Sequence, residues 1–127
     1  MTRAHAAIGQ TPYATRIEVN GRKLIADEPE VLGGKGAGFA PYDLLLSSLA
    51  ACTAITLRMY ADHKGWPLES LDIDLSLSGA GDQRHIRRVL HPVGLDADQA
   101  AHLADVAERT PVTLTLKAGI AIATTLA

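Results

Sequence analysis

The sequence has very few of the residues that cross-link or fill a small protein: one cysteine, one tryptophan and one phenylalanine in 127 residues. A single cysteine excludes an intrachain disulfide framework and is typical of a reducing compartment, so we expect a cytoplasmic protein. Because aromatic residues make up only 4% of the chain, the core must be built from Leu, Ile, Val and Ala. The length suits one domain with its own core, and we predict a single domain over residues 1–127.

The chain also lacks an excess of charge of either sign. Lys and Arg number 12 against 14 Asp and Glu, which gives a net charge near −2, so nothing favours nucleic acid or an anionic membrane as a partner. No uninterrupted apolar run reaches the ~18 residues of a membrane span. Residues 1–13 lack the apolar segment of a secretory signal. We therefore expect no nucleic-acid partner and no membrane association.

Metal and phosphate sites lack their usual sequence patterns. The five histidines form no pair at ligand spacing on one helix face, and one cysteine cannot make a CxxC motif. The glycine-rich stretch Gly33–Gly38 matches neither GxxxxGK[ST] nor GxGxxG, so we interpret it as a flexible loop that tolerates close backbone approach. Arg84, Arg87 and Arg88 form a small basic cluster, which we interpret as a solvated face. The sequence thus predicts no metal and no cofactor.

What the sequence does contain is one long apolar stretch, residues 41–60. The polar side chains in its middle are all small hydroxyls, which can bond to the helix's own carbonyls and so be buried. Pro41 suits a first helical position, while Gly65 and Pro67 suit a helix end. The pattern predicts one helix over residues 41–63. Because that helix is apolar on nearly every side, we predict that a second copy of the chain supplies part of its cover.

Alternating apolar and polar residues predict strands on both sides of this helix. Before it, Asn20-Gly21 is a strong signal for a tight hairpin turn, because both positions of that turn need positive φ. The predicted strands are residues 15–19, 22–27, 71–77, 85–93 and 119–126. Residues 1–13 read as a loose segment or an edge strand.

Two further helices follow from capping patterns near the C-terminus. Asp96 and Gln99 have the spacing of a capping box, which predicts a helix that reaches about Arg109. Thr110 and Pro111 then suit the cap and the first position of a short helix. Helices packed on mostly antiparallel sheet define the α+β class.

Cys52 is the candidate for chemistry. A lone cysteine in an apolar helix is most often a small core residue. It lies about ten residues from the helix start, beyond the reach of that helix's dipole, so reactivity requires a cation from elsewhere in the fold. The residues alone therefore leave both an inert thiol and a reactive thiol open.

The stretch from Pro41 to Leu77 resembles the family of osmotically inducible protein C and the organic hydroperoxide resistance proteins, OsmC/Ohr. The matching pieces are a glycine-rich loop, a proline, a long helix and the segment after it. They comprise Gly33-Gly34, Pro41, Ala50-Ala51-Cys52, Tyr60-Ala61 and Lys64-Gly65-Trp66-Pro67-Leu68. Ala26-Asp27-Glu28-Pro29 is similar to one OsmC-like subgroup, and the resemblance runs from about Arg16 to the C-terminus.

This resemblance implies an OsmC-like domain: an α+β fold of mostly antiparallel sheet with a long central helix, formed as an intertwined homodimer. It implies active sites at the subunit interface and a thiol peroxidase that reduces organic hydroperoxides. In that activity Cys52 is the peroxidatic nucleophile, and a nearby arginine stabilises its thiolate. Arg22 is the arginine nearest by position, and Arg16 is another.

The chain departs from the family pattern at two places. The family's resolving cysteine lies in a Cys-Pro-Val motif, and the matching residues here are Thr110-Pro111-Val112. Threonine cannot form a disulfide, although it suits a helix cap. The family's acidic residue after the helix-starting proline is matched by Tyr42, with Asp43 next, so both are candidates for the pocket. One residue is about 100° of helix rotation, so Asp43 would point elsewhere.

These observations predict a one-cysteine thiol peroxidase for small organic hydroperoxides, with an external thiol as reductant. The alternative is a non-catalytic OsmC-like dimer that binds an apolar small molecule in its interface pocket. A third interpretation leaves Cys52 as core packing only.

Overall fold

The computed structural model describes all 127 residues and divides into two compact units, Met1–Leu45 and Leu46–Ala127. It contains, in chain order, β1 (Ala4–Ile8), β2 (Thr15–Val19), β3 (Arg22–Ala26), α1 (Pro41–Lys64), β4 (Ser70–Ser78), β5 (His85–Val93), α2 (Ala97–Ala107) and α3 (Pro111–Ala118). Antiparallel sheets with a long helix confirm the α+β class. The single-domain assignment stays a prediction.

The first unit contains a three-stranded antiparallel sheet in the order β1-β2-β3. The predicted hairpin is confirmed: Val19 pairs with Arg22 across the turn, and the two turn residues have φ of 50° at Asn20 and 80° at Gly21. These positive φ values are the reason that Asn-Gly is favoured there. The N-terminal residues supply the edge strand β1.

The glycine-rich loop of the first unit is held in place by a carboxylate, which corrects our interpretation of it as flexible. Asp27 is 3% exposed. Its two oxygens accept backbone N–H bonds of 2.8–3.2 Å from Tyr13, Glu28, Lys35 and Ala37. The close backbone approach is confirmed at Gly34 and Gly38, where an added Cβ would collide with a backbone carbonyl. The glycines therefore let the loop fold tightly around a buried anion of the chain itself.

This arrangement predicts an acid-sensitive contribution to stability. The N–H bonds, that of Ala37 above all, hold the pKa of Asp27 below its ordinary value. Because this pKa is lower in the folded state, the stabilisation is complete above about pH 5 and is lost as the pH falls through the folded-state pKa. We expect Asp27→Asn to lower Tm by about 5–10 °C at pH 7 and by less at pH 3, measured by circular dichroism. Asp72→Asn, on an exposed position of β4, is the control, and an equal deficit of Asp27→Asn at both pH values would contradict the prediction.

The helix α1 runs one residue beyond the predicted end, and only one of its faces is buried. The buried side chains recur every four residues, which places them on one face: Leu49, Thr53, Leu57 and Ala61. On the opposite face Ile55 is 55% exposed and Met59 is 66% exposed. A single chain therefore leaves an apolar face of this helix in contact with solvent.

By length and composition α1 could also cross a membrane. Its best 18-residue window has a mean hydropathy of 1.5, and 22% of that window is buried. This criterion is weak for one helix, since core helices of soluble proteins also meet it.

The core of the second unit lies between α1, α2 and the hairpin of β4 and β5. These strands pair over nine residues, from Ser70 with Val93 to Ser78 with His85. The predicted alternation in β4 is confirmed, because its apolar residues are the less exposed ones. Leu57, Leu103 and Ala107 form the buried centre, and apolar residues of both strands pack against it.

The two C-terminal helices begin where predicted. Asp96 caps α2 through a complete capping box: its carboxylate accepts the Gln99 N–H at 2.8 Å, and the Gln99 side chain accepts the Asp96 N–H at 3.1 Å. This helix ends at Ala107, two residues before the predicted end at Arg109. Pro111 is the first residue of α3.

The prediction of a final strand over residues 119–126 is wrong, because these residues form no strand in the single chain. No strand follows α3, and Ile120, Ile122 and Leu126 are 71%, 89% and 100% exposed. A strand needs a neighbouring edge to receive its backbone hydrogen bonds. The alternation of apolar residues is present, but the segment pairs with no edge of its own chain.

Candidate functional site

The candidate site is centred on Cys52, which is half-buried in the fourth turn of α1. Its sulfur lies 3.7 Å from Thr56 Oγ1. It also accepts a hydrogen bond from the backbone N–H of Val112, at 3.4 Å. The cysteine is therefore neither fully enclosed nor surrounded only by apolar groups.

The donor to this sulfur belongs to the N-terminus of α3. Thr110 is the cap, Pro111 the first residue and Val112 the second, so the Val112 N–H is one of those with no acceptor inside the helix. A helix N-terminus also carries partial positive charge, so the sulfur faces a polar helix end. The sequence showed correctly that the start of α1 is too far away, but a different helix supplies the dipole.

Thr110, which stands where the family has its resolving cysteine, lies two residues before this donor and is 1% exposed. Its hydroxyl lies 2.6 Å from Thr113 Oγ1 and 3.4 Å from the Ala107 carbonyl oxygen. It makes no capping bond to a backbone N–H of α3. The predicted cap position of Thr110 is therefore confirmed, and its side chain joins α3 to the end of α2 instead of bonding to a backbone N–H.

Arg88 corrects the interpretation of the basic cluster as a solvated face. Its side chain is only 13% exposed, whereas Arg84 and Arg87 are exposed. Its guanidinium donates to Thr53 Oγ1 at 2.9 Å, to Thr113 Oγ1 at 3.0 Å and to the Ala107 carbonyl oxygen at 2.8 Å. One side chain of β5 thus bonds to all three helices.

The other predicted site residues lie in the first unit. Arg22 is the exposed first residue of β3. Tyr42 is 49% exposed at the start of α1, and Asp43 accepts the Ala40 N–H at 2.9 Å, which gives that carboxylate a capping role at the helix start. Cys52 belongs to the second unit. The activating role of Arg22 and the pocket roles of Tyr42 and Asp43 stay predictions.

Sequence reasoning missed two groups: the Val112 N–H, which donates to the Cys52 sulfur, and Arg88, which donates to the adjacent Thr53. Arg88 had a signal: in β5 it alternates with Ile86 and Leu90, so it lies on the inner face of the hairpin opposite Leu75. The Val112 N–H had none, since every residue except proline carries a backbone donor. No group of three or more His, Cys, Asp or Glu residues is arranged to hold a metal ion.

The fold and the site define a class of protein: an α+β protein with one half-buried thiol on a long apolar helix, hydrogen-bonded to the start of a second helix. A family model described as OsmC-like protein matches residues 34–125, and the chain belongs to this family. The family resemblance seen in the sequence is confirmed. A search of curated proteins found no significant match.

Solved structures give the same result for the fold. An organic hydroperoxide resistance protein OsmC from Legionella pneumophila is 25% identical, with 92% of this chain and 89% of that chain covered at a TM-score of 0.73. An OsmC-like protein from Mycoplasma pneumoniae is 19% identical. The match covers 92% of this chain and 87% of that chain, with a TM-score of 0.74. The organic hydroperoxide resistance protein OhrB of Bacillus subtilis is 21% identical. The match covers 91% of this chain and 90% of that chain, with a TM-score of 0.65. The chain therefore belongs to a family linked to organic hydroperoxide resistance.

Proposed function

We propose that the protein is a thiol peroxidase in which Cys52 reduces organic hydroperoxides. The observation that carries the proposal is the hydrogen bond from the Val112 N–H at the start of α3 to the half-buried Cys52 sulfur. This bond directs a polar donor at the sulfur, which therefore does not lie in a purely apolar shell. The similarity to the Legionella protein, which is named an organic hydroperoxide resistance protein, supports the choice of substrate class.

The chemistry needs one thiolate and one proton donor for the leaving alkoxide. The Cys52 thiolate attacks the terminal oxygen of the hydroperoxide ROOH, so an S–O bond forms while the O–O bond breaks. The sulfur is oxidised to sulfenic acid, Cys–SOH, and the alkoxide RO⁻ takes a proton from solvent to leave as the alcohol ROH. No metal or cofactor enters this step.

The return to the thiol requires an external reductant. Cys52 is the only cysteine of the chain, and Thr110 holds the position of the second one. An external thiol R′SH therefore condenses with the sulfenic acid to give a mixed disulfide and water. A second R′SH then releases the Cys52 thiol and the disulfide R′SSR′.

We also propose that the protein acts as a homodimer. The apolar face of α1 that contains Ile55 and Met59 is exposed, as are Leu114 of α3 and Ile122 beyond it. Exposed apolar groups of this size mark interaction surfaces. A second copy supplies both an apolar face for α1 and a strand edge for the C-terminal segment, and its presence places the substrate pocket at an interface.

Direct oxidation tests the peroxidase proposal. The purified, reduced protein is mixed with one equivalent of cumene hydroperoxide at pH 7, and its intact mass is followed over time without any added thiol. We expect Cys52 to gain one oxygen, about 16 Da, within seconds to minutes. The oxidation rate with hydrogen peroxide at the same concentration is the comparison, and faster oxidation by cumene hydroperoxide indicates a preference for apolar substrates. A free thiol that stays unoxidised after ten minutes with cumene hydroperoxide would rule out the peroxidase.

The second candidate function is a dimer that binds an apolar small molecule without turnover. Thr110 favours it, because the buried hydroxyl of this residue bonds to Thr113 and leaves no second sulfur for an internal cycle. One variant distinguishes the two candidate functions. Cys52→Ser removes peroxidase chemistry but leaves the binding of an apolar fluorescent probe unchanged if binding is the function.

A further inference from the structure

Arg88 makes contacts that ordinary strand packing does not require. It is an arginine on the inner face of the β4–β5 hairpin, at a position flanked by apolar residues, and its side chain is 13% exposed. Taking a guanidinium out of water is costly unless its donors are satisfied. Here its two terminal nitrogens make three hydrogen bonds of 2.8–3.0 Å.

Two of the three acceptors lie next to the site in the sequence. Thr53 directly follows Cys52 on α1, and Thr113 directly follows Val112 on α3. One nitrogen of Arg88 bonds to both threonine hydroxyls. The bond from the Val112 N–H to the Cys52 sulfur therefore lies beside a bridge that ties the same two helices together through Arg88.

The third acceptor fixes where α3 begins. The Ala107 carbonyl oxygen belongs to the last residue of α2 and accepts the second terminal nitrogen of Arg88. The Thr110 and Thr113 hydroxyls lie 3.4 Å and 3.3 Å from the same carbonyl oxygen and 2.6 Å from each other. The end of α2, the connection and the first turn of α3 are thus held by one guanidinium and two hydroxyls.

The charge of Arg88 is only partly compensated. Glu108 lies 3.7 Å away, but its carboxylate is 60% exposed and bonds to Lys117 at 3.0 Å. The Lys117 bond is the main cause that lowers the pKa of Glu108. Arg88 therefore acts chiefly through its directional hydrogen bonds to helix ends and hydroxyls rather than as half of an ion pair.

We propose that Arg88 is a positioning residue for Cys52: it holds the first turn of α3 against α1 so that the Val112 N–H stays on the sulfur. The inference rests on the proposed function, because the positioned group is the peroxidatic thiolate. Arg88 touches neither sulfur nor substrate and is not a catalytic residue. Without the bridge, α3 is free to shift by fractions of an ångström, and the N–H···S bond is weakened.

The test compares Arg88→Met with Arg87→Met, its exposed neighbour on the other face of β5. Two rates are measured at pH 6–9 and at a temperature where both variants are fully folded: oxidation of Cys52 by cumene hydroperoxide and alkylation of Cys52 by iodoacetamide. We expect Arg88→Met to slow both reactions about 10-fold or more at pH 7 and to move the half-maximal alkylation rate to higher pH. Arg87→Met stays within about 2-fold of the parent protein, as expected for an exposed surface change.

Arg88→Lys and Thr113→Val extend the test. Lysine keeps the charge but cannot reproduce the planar fork, so Arg88→Lys should recover only part of the rate. Thr113→Val removes one acceptor at nearly constant shape and should slow both reactions in the same direction, which keeps the test usable if Arg88→Met does not fold.

The outcomes separate this inference from the proposed function. A slower, pH-shifted alkylation in Arg88→Met, with no peroxide oxidation in the parent protein, supports the positioning role and refutes the peroxidase. Fast peroxide oxidation in the parent together with unchanged rates and unchanged pH profiles in the folded Arg88 and Thr113 variants refutes the positioning role. A lower Tm without a change in rate or pH profile also refutes it, because that is the result of a purely structural arginine.

Discussion

Cys52→Ser is expected to lower the consumption of cumene hydroperoxide, with an external dithiol as reductant, by at least about 10³-fold. A serine oxygen is a far weaker nucleophile than a thiolate at neutral pH, and its attack on a peroxide would replace one O–O bond by another. The measurement is the steady-state loss of hydroperoxide at pH 7. The fold should persist, because the serine hydroxyl can keep the contacts with Thr56 and with the Val112 N–H that the sulfur makes.

The matched control is Thr56→Ser, which keeps a hydroxyl beside the sulfur and should retain activity within about 3-fold. Circular dichroism should show the same secondary structure for the parent and both variants. Hydroperoxide consumption by Cys52→Ser at a tenth of the parent rate or more would contradict the assignment of Cys52 as the nucleophile. Equal binding of an apolar probe by an inactive parent and by Cys52→Ser would instead support the binding function.

Ile55→Asp is expected to convert the proposed dimer to monomer at micromolar concentration. Ile55 is 55% exposed on the face of α1 opposite its buried side chains. Burying an unpaired carboxylate in an apolar interface costs several kcal/mol, and each 1.4 kcal/mol is a tenfold change in the dissociation constant. The measurement is molar mass by light scattering, with an expected change from about twice the 13.4 kDa chain mass to a single chain.

Two controls keep this prediction specific. Ile55→Leu preserves the apolar surface and should leave the dimer intact. Ser76→Asp adds the same charge at an exposed position of β4 and should also leave it intact. A parent protein that is monomeric at all concentrations, or an Ile55→Asp variant that remains dimeric with the parent's affinity, would contradict the dimer proposal. Loss of peroxidase activity together with the dimer would place the active site at the interface.

Most secondary structure was predictable from local patterns. The Asn20-Gly21 turn, the alternation of β4 and the capping box of Asp96 are decided by a few neighbouring residues, because turn geometry, strand pleat and helix ends each depend on short-range sterics and hydrogen bonds. The C-terminal segment shows the limit of this reasoning. Its alternation satisfies the local requirement for a strand, but a strand also needs a partner edge, which local sequence does not supply.

In the glycine-rich loop, too, local sequence predicted one feature and only the tertiary structure supplied the other. Its glycines predicted close backbone approach, which Gly34 and Gly38 confirm. They did not predict what the loop closes around, since the four N–H donors to Asp27 come from positions up to 14 residues away. A carboxylate that organises a loop is recognisable only from the tertiary structure, which shows the backbone N–H groups that donate to it.

For the candidate site, the sequence by itself determined the candidate nucleophile and the missing partner: one cysteine in an apolar helix, and a threonine where the family has a second cysteine. Tertiary structure decided what surrounds that cysteine. It brought the N–H of Val112 to the sulfur across 60 residues of chain, and it turned Arg88 inward to join three helices. The reason is physical: a backbone donor has no side-chain signature, and whether an arginine on a strand is solvated or buried depends on which acceptors the rest of the fold places within reach.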